Sequence, residues 1–93
     1  MAFDPGAIDA TLAAAVGDDP GLIAELRLAL IDSAERAVAA MATGAGWSAA
    51  AWRLHGLAAS FGAVRLMALA GEAAGGEPDA VLLARLQRAV ARL

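Results

Sequence analysis

The chain contains no cysteine and no lysine, and both absences narrow what the protein can be. Without cysteine there is no disulfide and no thiolate metal site, and nothing points to an oxidising compartment. The seven cationic side chains are all arginine, and ten acidic residues give a net charge of −3. Nucleic-acid binding requires a clustered basic surface, so we expect no nucleic-acid partner.

Long apolar runs and a targeting segment are also missing from the chain. The first residues lack the basic region and the apolar stretch of a signal peptide. The longest run without a charged residue, from Ala37 to Trp52, is too short for a bilayer span and is broken by Gly44 and Gly46. We therefore predict a cytoplasmic protein with no membrane partner.

Strand patterns are absent as well, because no segment alternates β-branched and polar residues. Alanine instead accounts for 28 of the 93 residues. It is the best helix former and adds little bulk to a core. We predict a single all-α domain over residues 1–93 with closely packed helices.

Five helices are predicted from capping residues, helix breakers and apolar spacing. Asp4 and Asp19 each precede a proline, which is typical of a helix N-terminus. Glycine-containing breaks separate the helices at 17, 43–46, 62 and 75–78. The predicted spans are 5–16, 20–41, 47 or 48–60, 63–74 and 78–93. The last four form an up-down-up-down four-helix bundle, and the first is a short extra helix.

The predicted core follows one apolar stripe on each helix. Arg85, Arg88 and Arg92 are expected on the outer face of the last helix, and Trp47 is expected to pack inside. The expected core members are Leu22, Leu26, Leu30 with Ala29, Ala37, Met41, Ala50, Leu54, Leu57, Ala58, Phe61, Leu66, Met67, Ala70, Ala73, Leu82, Leu83, Leu86, Val90 and Leu93.

The third helix carries the most informative pattern, with Trp52, Arg53, the only histidine (His55) and Gly56 in five residues. An α-helix turns by about 100° per residue, so positions 52, 55, 56 and 59 share one face. This face is exposed if Leu54 points into the core. Glycine in mid-helix costs about 1 kcal/mol relative to alanine, which suggests that something approaches the backbone at Gly56.

This segment resembles the signature of histidine-containing phosphotransfer (HPt) domains, which are small helical bundles of phosphorelay, or two-component, signalling. The family signature is H-x-L-K-G, followed by small residues, a Gly-Ala pair and a leucine. Leu54, Gly56, Gly62, Ala63 and Leu66 match it, and residues 16–23 look like the family's gap between its first two helices. The resemblance implies an HPt-like bundle whose partner is a response-regulator receiver domain or a histidine kinase.

Two positions depart from the family signature. Trp52 stands where the family has its phosphorylated histidine, and an indole nitrogen cannot carry a phosphoryl group in this chemistry. His55 stands where the family has lysine. We therefore predict a domain that is not phosphorylated at the usual position. The predicted partner-binding residues are Trp52, Arg53, His55, Gly56 and Ala59.

Two alternative functions remain open. A neutral imidazole is a competent nucleophile, so His55 is the candidate for a displaced phospho-acceptor in an active phosphotransfer protein. One helical turn would move the nucleophile by about 4.5 Å along the axis. The third class is a helical dimerisation or assembly module without a signalling role. Trp52 is either an interface anchor or a residue that folds down onto the core.

Enzyme and metal constellations are missing from the sequence. One histidine, no cysteine and no glycine-rich phosphate loop after a strand leave no catalytic or ligand set. The acidic pair Asp18 and Asp19 is interpreted as capping and not as a metal site. We expect no enzymatic activity, no metal and no cofactor, in a monomer or weak homodimer.

Overall fold

The computed structural model describes residues 5–17 and 19–93, and these residues form helices joined by short turns. No strand occurs within those ranges, so the all-α prediction is confirmed for them. The helices are α1 (Pro5–Val16), α2 (Pro20–Ala42), α3 (Trp47–Ser60), α4 (Val64–Ala74) and α5 (Ala80–Ala91).

Aspartate side chains begin α2 and α5. Asp19 accepts hydrogen bonds from two first-turn N–H groups at 3.0 and 3.1 Å, which confirms the predicted cap. Asp79 does the same at 2.8 and 3.1 Å. The last helix therefore begins after Asp79 and not at Pro78, because the carboxylate satisfies N–H groups that have no partner within the helix. The predicted caps Asp4 and Asp18 lie outside the described residues.

Glycines in the left-handed region make the turns on both sides of α3. Gly44 and Gly46 have φ values of 78° and 68° between α2 and α3, and Gly62 has a φ of 73° between α3 and α4. Glycine adopts this conformation without the steric cost of a Cβ atom. The predicted breaks at 43–46 and at 62 are thus confirmed.

Helices α2 to α5 contact one another in a ring. Helix α2 contacts α3 and α5, helix α4 contacts the same two, and α1 packs against α2. This is the neighbour pattern of a helical bundle. None of the helices in the described ranges is both long enough and apolar enough to cross a membrane.

The core combines leucine with fully buried alanine. Helices α3 and α4 form the most extensive contact of the bundle. Because alanine side chains are small, the backbones of neighbouring helices can approach closely. Each alanine, however, buries only a little apolar surface. Five alanines on these two helices are completely buried, namely Ala50, Ala51, Ala58, Ala70 and Ala73.

The predicted core stripe of α2 is wrong at its N-terminal end. Leu22 is 38% exposed and Ala29 is exposed, while Leu26 is half-buried. The buried positions 30, 34, 37, 38 and 41 define a stripe whose continuation towards the N-terminus passes through 23, 26 and 27. Ile23 accordingly packs against the core where Leu22 was expected.

Outside this part of α2, most predicted core residues are buried, but some are only half-buried and some buried residues were not predicted. Arg85, Arg88 and Arg92 are exposed as expected. Predicted core residues that are only half-buried are Leu57, Phe61, Met67 and Leu83. Buried residues outside the predicted set include Ala34, Val38, Ala51 and Leu69.

Candidate functional site

The first turn of α3 is tied to the last turn of α4. The indole N–H of Trp47 donates to the Ala73 carbonyl at 2.8 Å, and the Ser48 hydroxyl donates to the Ala74 carbonyl at 3.2 Å. Carbonyls in the last turn of a helix lack the usual helical partners. The Ala73 carbonyl accepts from the N–H of Gly76 as well as from Trp47, and the Ala74 carbonyl accepts from Ser48. Trp47 is buried, which confirms its predicted packing role. The two hydrogen bonds fix the rotation of α3 against α4.

This rotation turns Leu54 inward and Trp52 outward. Leu54 is 0% exposed, whereas the Trp52 side chain is 55% exposed. Arg53, Gly56 and Ala59 are exposed as well, and His55 is half-buried. All five residues of the predicted binding surface therefore lie on the outer side of α3, and His55 is the least accessible of them. We call these five residues the α3 surface.

The imidazole of His55 is held between Trp52 and helix α4. The two ring centroids are 5.3 Å apart with an angle of 81° between the planes, an edge-to-face contact. On the α4 side, a Cβ atom built on Gly71 would lie 3.4 Å from Cδ2 and 3.8 Å from Nε2 of His55. The Nε2 edge of the ring is therefore turned towards α4.

Gly71 is a site residue that sequence reasoning missed. It lies within α4, where glycine costs about 1 kcal/mol relative to alanine. A Cβ atom at this position would make only ordinary van der Waals contact with the imidazole of His55, so the packing of the ring does not itself require glycine. The available signal was a second mid-helix glycine in a chain with many alanines.

Gly56 faces open space. A Cβ atom built there meets no heavy atom of the described residues within 4 Å. The expectation that something approaches the backbone at Gly56 is thus not met by any part of the chain that the structure describes. The free space above the backbone is accessible to a binding partner.

A groove of about 580 Å³ runs between α2 and α3 on the other flank of the α3 surface. Arg53 and Gly56 line it, whereas Trp52 and His55 contact each other on the flank towards α4. The α3 surface therefore has two different flanks, the groove on the side of α2 and the Trp52–His55 pair on the side of α4. The groove is lined by Ser33, Arg36, Ala37, Arg53, Gly56, Leu57 and Ser60.

The sequence pattern gave no indication that α2 contributes to this region. Ser33 and Arg36 reach the groove because α2 packs against α3, which is a long-range contact. Arg36 forms an ion pair with Asp32 one turn earlier on α2. Among the side chains of residues 10–15, 17 and 19–93, no three metal-binding groups come close enough together to hold an ion.

Comparisons with protein-family models, with curated proteins and with solved structures each give no match for this chain. The structure places an exposed tryptophan, a half-buried histidine and an open glycine on the middle of one bundle helix. The sequence pattern left the exposure of Trp52 open and placed His55 on the outward face.

Proposed function

We propose that the chain is an HPt-like domain of phosphorelay signalling that binds a receiver domain or a histidine kinase without relaying phosphate. The α3 surface is the binding site. The observation that carries the proposal is the 55% exposure of Trp52, at the position where the signature has its phospho-acceptor histidine.

The arrangement of the helices supports an HPt-like bundle. Helices that follow one another in sequence are joined by short turns and contact each other, which favours antiparallel neighbours. The ring from α2 to α5 then has up-down-up-down order, with α1 as the extra helix on α2. The signature helix α3 presents its middle to the outside, as HPt domains present their histidine.

The exposed indole of Trp52 supports a role in partner binding. Tryptophan is enriched among residues that dominate the energy of protein interfaces, because it buries a large area with few rotatable bonds. Gly56, one turn further along α3, leaves the backbone uncovered. A partner can therefore cover the indole and approach the helix backbone at the same time.

The surroundings of His55 support binding without phosphate transfer. Phosphoryl transfer requires the attacking nitrogen to lie in line with the phosphorus atom. The Nε2 edge of His55 is instead directed towards Gly71, and the ring is in contact with Trp52. An edge-to-face pair contributes about 0.5–1.5 kcal/mol, so His55 helps to hold the indole in its exposed position.

Trp52→Ala is expected to weaken partner binding by about tenfold or more, since truncation of an interface hot spot costs upwards of about 1–2 kcal/mol. The measurement is isothermal titration calorimetry against a panel of receiver domains and kinase phosphotransfer domains. Circular dichroism melting shows whether the variant is still folded. An unchanged affinity in a folded Trp52→Ala protein would contradict the proposal.

Two variants serve as controls for this experiment. Leu28→Ala removes another exposed apolar side chain, 67% accessible on α2, and should leave the affinity unchanged. His55→Ala should retain most of the affinity, because it removes a neighbour of the indole and not the indole itself. If sedimentation shows instead that the wild type dimerises and that Trp52→Ala abolishes the dimer, the chain is an assembly module.

Incubation of the protein with a phosphorylated receiver domain is expected to transfer no phosphoryl group to it. The assay follows labelled phosphate on a denaturing gel, with an acid treatment that removes phosphohistidine selectively. An acid-labile label that disappears in His55→Ala would identify His55 as a displaced acceptor. That result would contradict the proposal that the domain relays no phosphate. It would not contradict the proposal that Trp52 binds the partner.

A further inference from the structure

The groove between α2 and α3 brings two arginines to the same level. Arg36 lies seven residues before the 43–46 turn and Arg53 lies seven residues after it. Helices α2 and α3, which the turn joins, pack against each other. Both side chains line the groove. Ser33 and Ser60 contribute hydroxyl groups further along its walls, and Gly56 leaves its middle open.

The charge of the two arginines is available to a ligand. Arg53 is exposed and has no hydrogen bond or ion pair with any residue in the described ranges. Arg36 pairs with Asp32, but the two side chains are 75% and 62% exposed. Exposed ion pairs of this kind contribute little, so an incoming carboxylate can replace Asp32 at small cost.

The floor of the groove has a different chemistry from its rim. Ala37 is buried and Leu57 half-buried, so the floor is apolar and shallow. A groove of about 580 Å³ is much larger than a single inorganic ion requires. Its volume and mixed lining suit a stretch of polypeptide that carries acidic side chains with small apolar side chains between them.

We propose that this groove binds an acidic peptide segment of a protein partner. Its carboxylates pair with Arg36 and Arg53, for which the planar guanidinium offers paired donors, and hydroxyls of Ser33 and Ser60 donate further hydrogen bonds. Small apolar side chains of the segment lie on Ala37 and Leu57. This proposal concerns the α2 flank of α3 and does not require the partner to be a receiver domain or a kinase.

The test titrates the full chain with a short acetylated and amidated peptide of alternating glutamate and alanine. A second peptide with glutamine in place of glutamate is the matched control. Amide NMR shifts should move at Ser33, Gly56 and Ser60 with the glutamate peptide only. Arg53→Gln should weaken binding by about tenfold, the value for a lost charge-assisted hydrogen bond. Arg85→Gln makes the same charge change on α5 and should have little effect.

Each other outcome overturns the proposal. Equal binding of the two peptides would show that carboxylates are not recognised, and equal losses in the two arginine variants would show attraction by overall charge alone. Loss of peptide binding in Trp52→Ala would place the peptide on the α4 flank. Shifts at the groove amides that depend on protein concentration, without peptide, would identify a second copy of the chain as the occupant. No perturbation at the highest peptide concentration would show that the groove does not bind acidic peptides.

Discussion

Replacing Trp47 by alanine is expected to lower the free energy of unfolding by about 3–5 kcal/mol, the range for removing a buried aromatic side chain. Trp47 is only 5% exposed, and its indole N–H donates to the carbonyl of Ala73. Domains of this size are stable by about 5–15 kcal/mol in total. The variant should therefore be close to the unfolding transition at moderate temperature, as measured by urea denaturation followed by circular dichroism.

Trp47→Phe separates the two contributions of this residue. It keeps most of the buried ring but removes the N–H donor. We expect a loss of about 0.5–1.5 kcal/mol for the hydrogen bond, and a small further loss for the cavity, because the Ala73 carbonyl still accepts from the N–H of Gly76 at 3.2 Å. Trp52→Ala, on the same helix but 55% exposed, should cost clearly less than Trp47→Ala. If the alanine variant at 47 were no less stable than the phenylalanine variant, packing of the indole would not hold α3 against α4.

Leu54→Ala is expected to cost about 2–5 kcal/mol, because deletion of a fully buried leucine side chain loses its burial and leaves a cavity. Leu54 is 0% exposed and lies in the middle of α3, directly beneath the α3 surface. The loss should appear as a lower midpoint of urea denaturation. The slope of the free energy of unfolding against urea concentration, the m-value, should be unchanged. Partner affinity, measured under conditions where the variant is still folded, should remain near that of the wild type.

The adjacent His55→Ala is the matched comparison for Leu54→Ala. It removes a half-buried ring from the neighbouring face of the same helix, about 100° around the axis from Leu54. The lost edge-to-face contact is worth about 0.5–1.5 kcal/mol. A loss at His55 as large as the loss at Leu54 would mean that the imidazole belongs to the core. His55 would then belong to the core and not to the α3 surface.

Local sequence signals were sufficient for most of the helix boundaries. The Asp19-Pro20 pair placed the start of α2, and glycine placed the turns around α3, because both act through the backbone of neighbouring residues. The start of α5 was misplaced because the order is reversed there. Proline comes before aspartate at 78 and 79, so the cap follows the proline and does not precede it.

The candidate site was predictable only where it depends on a single helix. Helical periodicity placed Trp52 and Leu54 on different faces of α3 but left open whether the indole is exposed; the structure shows Leu54 buried and Trp52 exposed. The contact of His55 with Gly71 and the sharing of the groove by Arg36 and Arg53 depend on how helices pack. The hydrogen bonds of Trp47 and Ser48 to the end of α4 are likewise contacts between helices that no local sequence pattern indicates.

The different burial of the two tryptophans gives the molecule two separate fluorescent reporters. The chain has only two tryptophans and no tyrosine, so its emission comes almost entirely from Trp47 and Trp52. Trp47 is enclosed and hydrogen-bonded, so its emission reports on whether the bundle is intact. Trp52 is open to water and to dissolved quenchers, so its emission reports on whether the α3 surface is covered. Folding and binding can therefore be followed optically without attaching a dye.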